Sequence, residues 1–141
     1  MAETSSVTIG GSPGTDDAHV ELRLPADGAY VSVLRTLTAG LAARLDFTLD
    51  EIDDLRIAVS EAVAMVLEQA DGDAELVCAF DLSTARLQLV ISAAAAAPDE
   101  ADYESFGWQV LATLTSEAGI DSVPGTYAVR LVATSTHDPG A

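Results

Sequence analysis

A glutamate in the middle of an apolar helical segment is the residue of this chain whose type and position most suggest chemistry. The stretch LRIAVSEAVAMVLEQA, residues 55–70, predicts a helix with Glu61 near its centre. At about 100° per residue, Glu61 lies opposite the apolar stripe of this helix, which is typical of a solvated face. Ile57 and Met65 stand one turn before and after it, however. A second interpretation is therefore that a lid segment, a ligand or a partner covers this side.

Few other side chains are candidates for chemistry. Cys78 is the single cysteine, so no intrachain disulfide can form and a reducing cytoplasm is expected. Its apolar neighbours predict a buried strand residue rather than a catalytic thiol. His19 and His137 lie near opposite ends of the chain, without the spacing of metal ligands. We predict no metal site.

The charge of the chain excludes several classes of partner. Its 141 residues carry a formal net charge of −17, and all six basic residues are arginines. Such a surface repels phosphate backbones and anionic membranes over about 8 Å at physiological salt. We therefore expect no nucleic acid and no membrane as partners. A basic protein partner is the natural alternative, and solubility alone is a second explanation of the charge.

Composition and periodicity predict one folded domain. Residues 1–18 are rich in Gly, Ser, Thr and Asp and predict a flexible leader. Residues 134–141 predict a flexible tail, which leaves the domain at residues 19–133. No basic region followed by an apolar stretch begins the chain, and no apolar run approaches the ~20 residues of a membrane span, so we predict a cytoplasmic protein.

Within this domain the patterns predict the order β-α-α-β-β-α-β. Thr48 and Glu51 form a capping box that begins the second helix, and Ser105 caps a third helix that ends near Gly119. Two adjacent strands form a hairpin near Ser83, which argues against a purely parallel sheet. The expected fold is α/β (α+β), a two-layer sandwich of a mixed, mostly antiparallel sheet with helices on one face.

With this order of elements, the string DDLRIAVSEAVAMVLEQA resembles the nucleotide-binding helix of RsbW-like anti-sigma factors. These are serine/threonine-protein kinases of the histidine-kinase/gyrase-type ATPase fold, and the resemblance covers residues 19–133. In that family the helix carries E-x-x-x-N, in which the glutamate is the general base and the asparagine holds magnesium. The resemblance implies that Glu61 occupies the general-base position and Met65 the asparagine position. It also implies that Gly107 and Thr126 occupy ATP-site positions.

The motifs that hold phosphate and metal in the family are degenerate here. A thioether at Met65 cannot replace an amide oxygen as a ligand of magnesium. Where the family has D-x-G-x-G, after the strand that ends at Ile91, this chain has SAAAAAPDEAD, without a glycine. Glycine matters in such loops because the backbone must approach the phosphates closely. We expect ATP and magnesium binding to be weak or absent, and kinase activity to be lost or much reduced.

The resemblance implies an anti-sigma factor that sequesters an alternative sigma factor, of a stress or sporulation type, and thereby represses transcription. An anti-anti-sigma partner would release the sigma factor, and a homodimer is expected. The first predicted helix carries Arg35 and Arg44 facing outward. This helix is a candidate for the surface that contacts the second copy or the sigma factor. The alternative is an ordinary surface helix. One alternative is an active kinase that phosphorylates the anti-anti-sigma factor with ATP. Another is a phosphotransfer or sensor-associated domain unrelated to sigma factors.

Overall fold

The computed structural model describes residues 5–136 of the chain. Their strands are β1 (Ser6–Gly11), β2 (Ala18–Pro25), β3 (Glu75–Ser83), β4 (Arg86–Ala95), β5 (Glu117–Val123) and β6 (Gly125–Thr134). A single 3-10 turn, Gly28–Tyr30, leads into the first of the helices α1 (Val31–Arg44), α2 (Leu49–Gln69) and α3 (Phe106–Leu114). Residues 96–105, which join β4 to α3, are called the α3 loop below.

The strands form one six-stranded sheet in the order β1-β2-β3-β4-β6-β5, and every neighbouring pair is antiparallel. Buried and partly exposed residues alternate along β2, β3 and β4, so that one face of the sheet forms the core. Helix α2 lies against β4 and β6, α1 packs on α2, and α3 packs on α2 and β5. The predicted two-layer sandwich is confirmed.

Side-chain caps that the sequence indicates lie at or just before the beginning of each helix. The Thr48 hydroxyl accepts from the Glu51 backbone N–H, and Glu51 accepts in return from the Thr48 N–H, so the predicted capping box is present. Ser105 caps α3 by accepting from the Trp108 N–H at 3.1 Å. Asp27 accepts from the Ala29 N–H, but it caps the short 3-10 turn that precedes α1. These caps fix where α2 and α3 begin, whereas α1 follows the 3-10 turn directly and has no side-chain cap of its own.

Two strands were not predicted. Strand β1 lies inside residues 1–18, the segment predicted as a flexible leader. The domain limits at residues 19–133 stay a prediction. Its six residues are all exposed, so the sequence lacks the pattern of a half-buried strand. Strand β5 contains Gly119, which was expected near the end of α3. That expectation is wrong, because α3 ends at Leu114. No alternating pattern marks β5 in the sequence, since this strand buries a single residue, Ile120, among small and acidic neighbours.

The end of β6 is fastened to the beginning of α2. Glu51 accepts from the Thr136 N–H at 2.8 Å, from the Thr136 hydroxyl at 3.0 Å and from the Ser135 hydroxyl at 3.0 Å, in addition to its capping bond from Thr48. Burial alone would raise the pKa of Glu51, but these four hydrogen bonds outweigh it and lower the pKa to about 2. A charged Glu51 therefore holds sheet and helix together.

Candidate functional site

Helix α2 carries Glu61 and Met65 toward α3. Both side chains are half-buried, while Ile57, one turn earlier, is 53% exposed. The side of α2 that periodicity assigns to a solvated face is therefore covered at Glu61 and Met65 and open at Ile57. The first turn of α3 covers this side of α2, and Gly107 is its point of contact.

The approach of α3 to α2 depends on the missing side chain of Gly107. A Cβ at this position would lie 3.1 Å from Met65 Sδ, 3.2 Å from Met65 Cγ and 3.5 Å from Glu61 Oε2. The first two distances are shorter than ordinary van der Waals contacts between carbon or sulfur atoms. The structure therefore brings together three of the four predicted site residues, and Met65 fills the space between the helices.

The α3 loop is tied to the end of α2. The Asp99 N–H donates to Gln69 Oε1 at 2.8 Å, and Gln69 Nε2 donates back to Asp99 Oδ2 at 3.2 Å. Asp71 Oδ1 accepts from the Ala96 N–H at 3.2 Å, and the Ser122 hydroxyl donates to the Asp99 carbonyl. The polar groups of the α3 loop are thus bound within the protein itself.

Aromatic packing holds the rest of the α3 loop in place. The rings of Tyr103 and Trp108 meet edge to face with their centroids 4.8 Å apart. The Tyr103 hydroxyl reaches the Ile120 carbonyl of β5 at 3.5 Å. Phe106, at the first position of α3, is 77% exposed. Leu111 is the residue through which α3 enters the core.

The surroundings of this loop are acidic. Tyr127 of β6 is buried beneath it, and its pKa is raised first by burial and then by the charges of Glu68, Tyr103, Asp102 and Asp99. The same carboxylates that disfavour a tyrosinate would disfavour a triphosphate in this place. The chain has no lysine that could compensate.

The remaining predicted site residue, Thr126, lies elsewhere. Neighbouring residues of a strand point to opposite faces of the sheet, and Tyr127 faces the helices, so Thr126 faces away from them. With Gly125 it lines an open depression of about 980 Å³ at the end of the sheet. The structure does not bring Thr126 to Met65 and Gly107.

The side chains near Glu61 do not fit a magnesium ion. Magnesium requires oxygen ligands in near-octahedral arrangement, and Met65 presents sulfur and methylene groups beside the single carboxylate of Glu61. Among residues 5–136 no group of three or more His, Cys, Asp or Glu side chains is placed to hold a metal ion. The arrangement provides the carboxylate of Glu61 at the edge of the packed helices α2 and α3.

Beside Glu61 a groove of about 480 Å³ opens between α1 and α2. We call it the arginine groove, and its lining residues are Arg35, Asp53, Arg56, Ile57, Ser60 and Glu61. Arg35 Nε is buried and has no hydrogen-bond partner within the described part of the chain. Arg56 Nη1 lies 4.0 Å from Asp53 Oδ1, at the limit of an ion pair, and both side chains are well exposed. The groove therefore presents guanidinium groups beside an exposed isoleucine.

The sequence of α2 contains a pattern that indicates this groove. Asp53, Ile57 and Glu61 stand four residues apart, and Arg56 and Ser60 stand three residues after Asp53 and Ile57, so the five residues form a single strip. Arg35 was predicted to face outward, but its burial against α2 could be known only from the packing angle of the two helices.

The other titratable candidates lie away from this site. Cys78 is fully buried in β3, as predicted, and burial raises the pKa of its thiol to about 12, so the thiol stays protonated and unreactive. His19 Nδ1 lies 2.9 Å from Asp81 Oδ1 on the exposed surface of β2 and β3. His137 lies outside the described residues. No helix in the described part of the chain is both long and apolar enough to cross a bilayer.

Comparison with characterised proteins yields relatives named serine-protein kinase RsbW. The chain is 35% identical over 77 residues to the serine-protein kinase RsbW of Bacillus subtilis, an alignment that covers 52% of this chain and 48% of the relative. It is similar to RsbW. Identity is 34% over 77 residues with RsbW of Bacillus velezensis, again covering 52% and 48%. With RsbW of Bacillus thuringiensis it is 33% over 75 residues, covering 52% and 47%.

The predicted resemblance to RsbW-like proteins is therefore confirmed over about half of the chain. The chain spans about half the length of the RsbW proteins it matches. No protein-family model matches it.

Proposed function

We propose that this chain is an anti-sigma factor. In this proposal it binds and sequesters an alternative sigma factor in the cytoplasm, represses transcription from the promoters of that factor, and releases it when an anti-anti-sigma protein competes for the same surface. The similarity to RsbW and the resemblance of α2 to the family's helix support the class of protein. The arginine groove supports a function in protein binding, and it is the observation that carries the proposal.

The groove has the composition of a protein-binding surface. A buried guanidinium nitrogen of Arg35 without a described partner carries a desolvation cost that an incoming carboxylate or carbonyl oxygen would remove. Ile57 offers apolar surface next to it, and arginine beside an apolar anchor is a common composition of binding hot spots. An acidic or carbonyl-rich segment of the partner with an apolar side chain fits this surface.

The charge of the whole chain supports the same class of partner in another way. Sigma factors present basic faces to DNA, and a chain with a net charge of −17 attracts such faces over distances of about a Debye length. The long-range field would bring the sigma factor to the protein. The local arginines would then fix the position of one acidic segment, so the two effects act at different distances.

Binding without phosphate transfer follows from the state of the kinase site. Met65 stands at the position that the resemblance assigns to the magnesium-holding asparagine, and it packs against Gly107. The α3 loop is hydrogen-bonded to α2, and acidic side chains surround Tyr127. We propose that ATP binds weakly or not at all and that competition between protein partners controls release. A homodimer, as is usual in the family, is part of the proposal.

One observation favours a second function, an active serine/threonine-protein kinase that phosphorylates the anti-anti-sigma factor. The resemblance assigns Glu61 to the general-base position, and its carboxylate lines the arginine groove, where a partner's hydroxyl could reach it. In this alternative, backbone groups or substrate oxygens would have to replace the missing ligand of magnesium.

Two variants with a matched control test the binding function. The purified chain is immobilised, and its binding to sigma factors of the same genome is measured by biolayer interferometry. Arg35→Glu and Arg56→Glu should each weaken binding by about 10- to 100-fold, because like charges then face the partner's acidic segment. Arg44→Glu, at an exposed position of α1, changes the charge equally and should leave the affinity nearly unchanged. Equal losses in all three variants would refute a specific role of the groove.

A phosphate-transfer assay distinguishes the alternative. Incubation with radiolabelled ATP, magnesium and a candidate anti-anti-sigma protein should transfer no phosphate if the chain acts by binding alone. Transfer that Glu61→Gln abolishes and Glu68→Gln leaves intact would establish the kinase, since Glu68 lies on the same helix in an exposed position.

A further inference from the structure

Strand β1 ends the described sheet with an unpaired edge. It forms a ladder of six residue pairs with β2, from Ser6 opposite Arg23 to Gly11 opposite Ala18. No other strand in residues 5–136 pairs with its outer side. Such an edge presents backbone N–H and C=O groups that can pair with another strand.

The two edges of the sheet differ in charge. The nine residues 5–13, SSVTIGGSP, carry no charge, although the whole chain has a net charge of −17. Strand β5, at the other edge, carries Glu117 and Asp121 in exposed positions. Charged side chains commonly protect edge strands from pairing, so β5 is protected and β1 is not.

Strand β1 also exposes apolar side chains on one face. Val7 is 53% exposed and Ile9 is 70% exposed. Their partners in β2 are Leu22 and Val20, which are buried on the helix-facing side of the sheet. Val7 and Ile9 therefore continue the core face of the sheet beyond the part that the helices cover, which is costly unless another surface covers them.

We propose that β1 pairs antiparallel with β1 of a second copy of this chain, which joins two six-stranded sheets into one. A two-fold axis at Thr8 places Val7 of one copy opposite Ile9 of the other, on the same face, so that both apolar pairs are covered. The uncharged strand is also where two copies of net charge −17 approach with the least repulsion. The inference rests on the homodimer of the proposed function and assigns its interface.

This interface leaves the contact between α3 and α2 available. Helix α3 packs against β5, at the opposite edge of the sheet from β1. A dimer joined through β1 would therefore hold two copies of this helix contact. Dimer formation and partner binding then become separable in experiments.

Sedimentation velocity of the full chain over a range of concentrations tests the interface. The wild type should change from the mass of one chain to that of two. Val7→Lys and Ile9→Lys should each raise the dimer dissociation constant by about tenfold or more, because a charged lysine then lies opposite an apolar side chain of the other copy. Val123→Lys is the matched control, since Val123 is 55% exposed on β5, and it should behave as the wild type. A wild type that stays monomeric, or an Ile9→Lys variant that dimerises normally, overturns the proposal.

Cross-linking provides a second measurement that does not depend on a destabilising substitution. Directly opposed residues of an antiparallel pair lie about 4.5–5.5 Å apart at Cα, within reach of a disulfide. Thr8→Cys should therefore form a covalent dimer on mild oxidation, while Val123→Cys should not. The buried Cys78 does not compete, because its thiol is inaccessible. Absence of a Thr8→Cys dimer at concentrations where the wild type is dimeric refutes this register.

Partner binding by the same variants separates the two proposals. Ile9→Lys should lose the dimer and keep its affinity for the sigma factor. If no sigma factor binds even the wild type, the proposed function fails while the β1 dimer stands. If Ile9→Lys abolishes partner binding without changing the mass of the free chain, the edge binds a strand of another protein and the second-copy proposal fails.

Discussion

Gly107 of α3 lies directly against Met65 of α2, and the two residues depend on each other. The Cβ of any larger residue at position 107 would lie 3.1 Å from Met65 Sδ. Asparagine, the family residue at position 65, would put an amide where the thioether now fills the gap between the helices. The packing of α3 on α2 therefore depends on the Met65 thioether and on the missing side chain of Gly107 together.

The first prediction concerns this contact. Gly107→Ala should lower the free energy of unfolding by about 1 kcal/mol, because overpacking against Met65 outweighs the better helix propensity of alanine. Gly40→Ala, in α1 with open space around it, should raise the free energy of unfolding by about 0.5–1 kcal/mol. Urea denaturation followed by circular dichroism measures both. In a Met65→Ala background the cost of Gly107→Ala should disappear, and a stabilising Gly107→Ala in the wild type would contradict the contact.

The second prediction concerns nucleotide binding. Met65→Asn restores the family's residue, but it leaves the α3 loop tied through Asp99 to Gln69 and the acidic side chains around Tyr127 in place. We expect no rise in melting temperature with millimolar Mg-ATP, for the wild type, for Met65→Asn or for the control Met65→Leu. Saturating ligand would stabilise a binding protein by about 3–4 kcal/mol. A dose-dependent rise confined to Met65→Asn would show that the metal ligand alone limits binding.

The sequence predicted the parts of the fold that depend on local rules. The capping box at Thr48 and the cap at Ser105 lie where the patterns place them, and a strand follows α3 to end the domain, as in the predicted order of elements. Strands β1 and β5 were missed because an exposed strand and a strand with one buried residue give no alternating pattern. Their pairing is a property of the assembled sheet.

The candidate site divides in the same way. Glu61 and Met65 follow from their positions on α2, and the covering of this helix side was one of two interpretations that periodicity allowed. That Gly107 provides the cover could be known only from the packing of α3 on α2. Thr126 lies on the other face of the sheet. Its place there follows from the register of β6, which no local motif indicates.

The third prediction concerns Glu51 and acid. Its pKa is lowered from the ordinary 4.5 to about 2, so its contribution to stability is complete above pH 4.5 and is lost as the pH falls toward 2. Glu51→Gln should therefore lower the melting temperature at pH 7, with a loss of about 1–2 kcal/mol from weaker hydrogen bonds to Thr136, Ser135 and Thr48.

The pH profile separates this effect from general acid unfolding. The difference in stability between wild type and Glu51→Gln should shrink between pH 4.5 and 2, measured by thermal denaturation at each pH. Asp54→Asn, an exposed position on the same helix, should follow the wild type over the whole range. A wild-type advantage that persists unchanged at pH 2 would be incompatible with a charged Glu51 as the fastening group.

The fourth prediction separates the long-range field from the arginine groove. If the net charge of −17 steers a basic sigma factor, raising salt from about 50 to about 500 mM should slow association by about tenfold or more and change dissociation little. Asp50→Asn with Asp54→Asn removes two exposed charges of α2 outside the groove, so it should slow association only at low salt.

Arg35→Glu should instead speed dissociation at every salt concentration, because it removes a contact made only in the complex. Stopped-flow mixing and interferometry measure the two rates, and an association rate that does not depend on salt would mean that the acidic surface serves solubility alone.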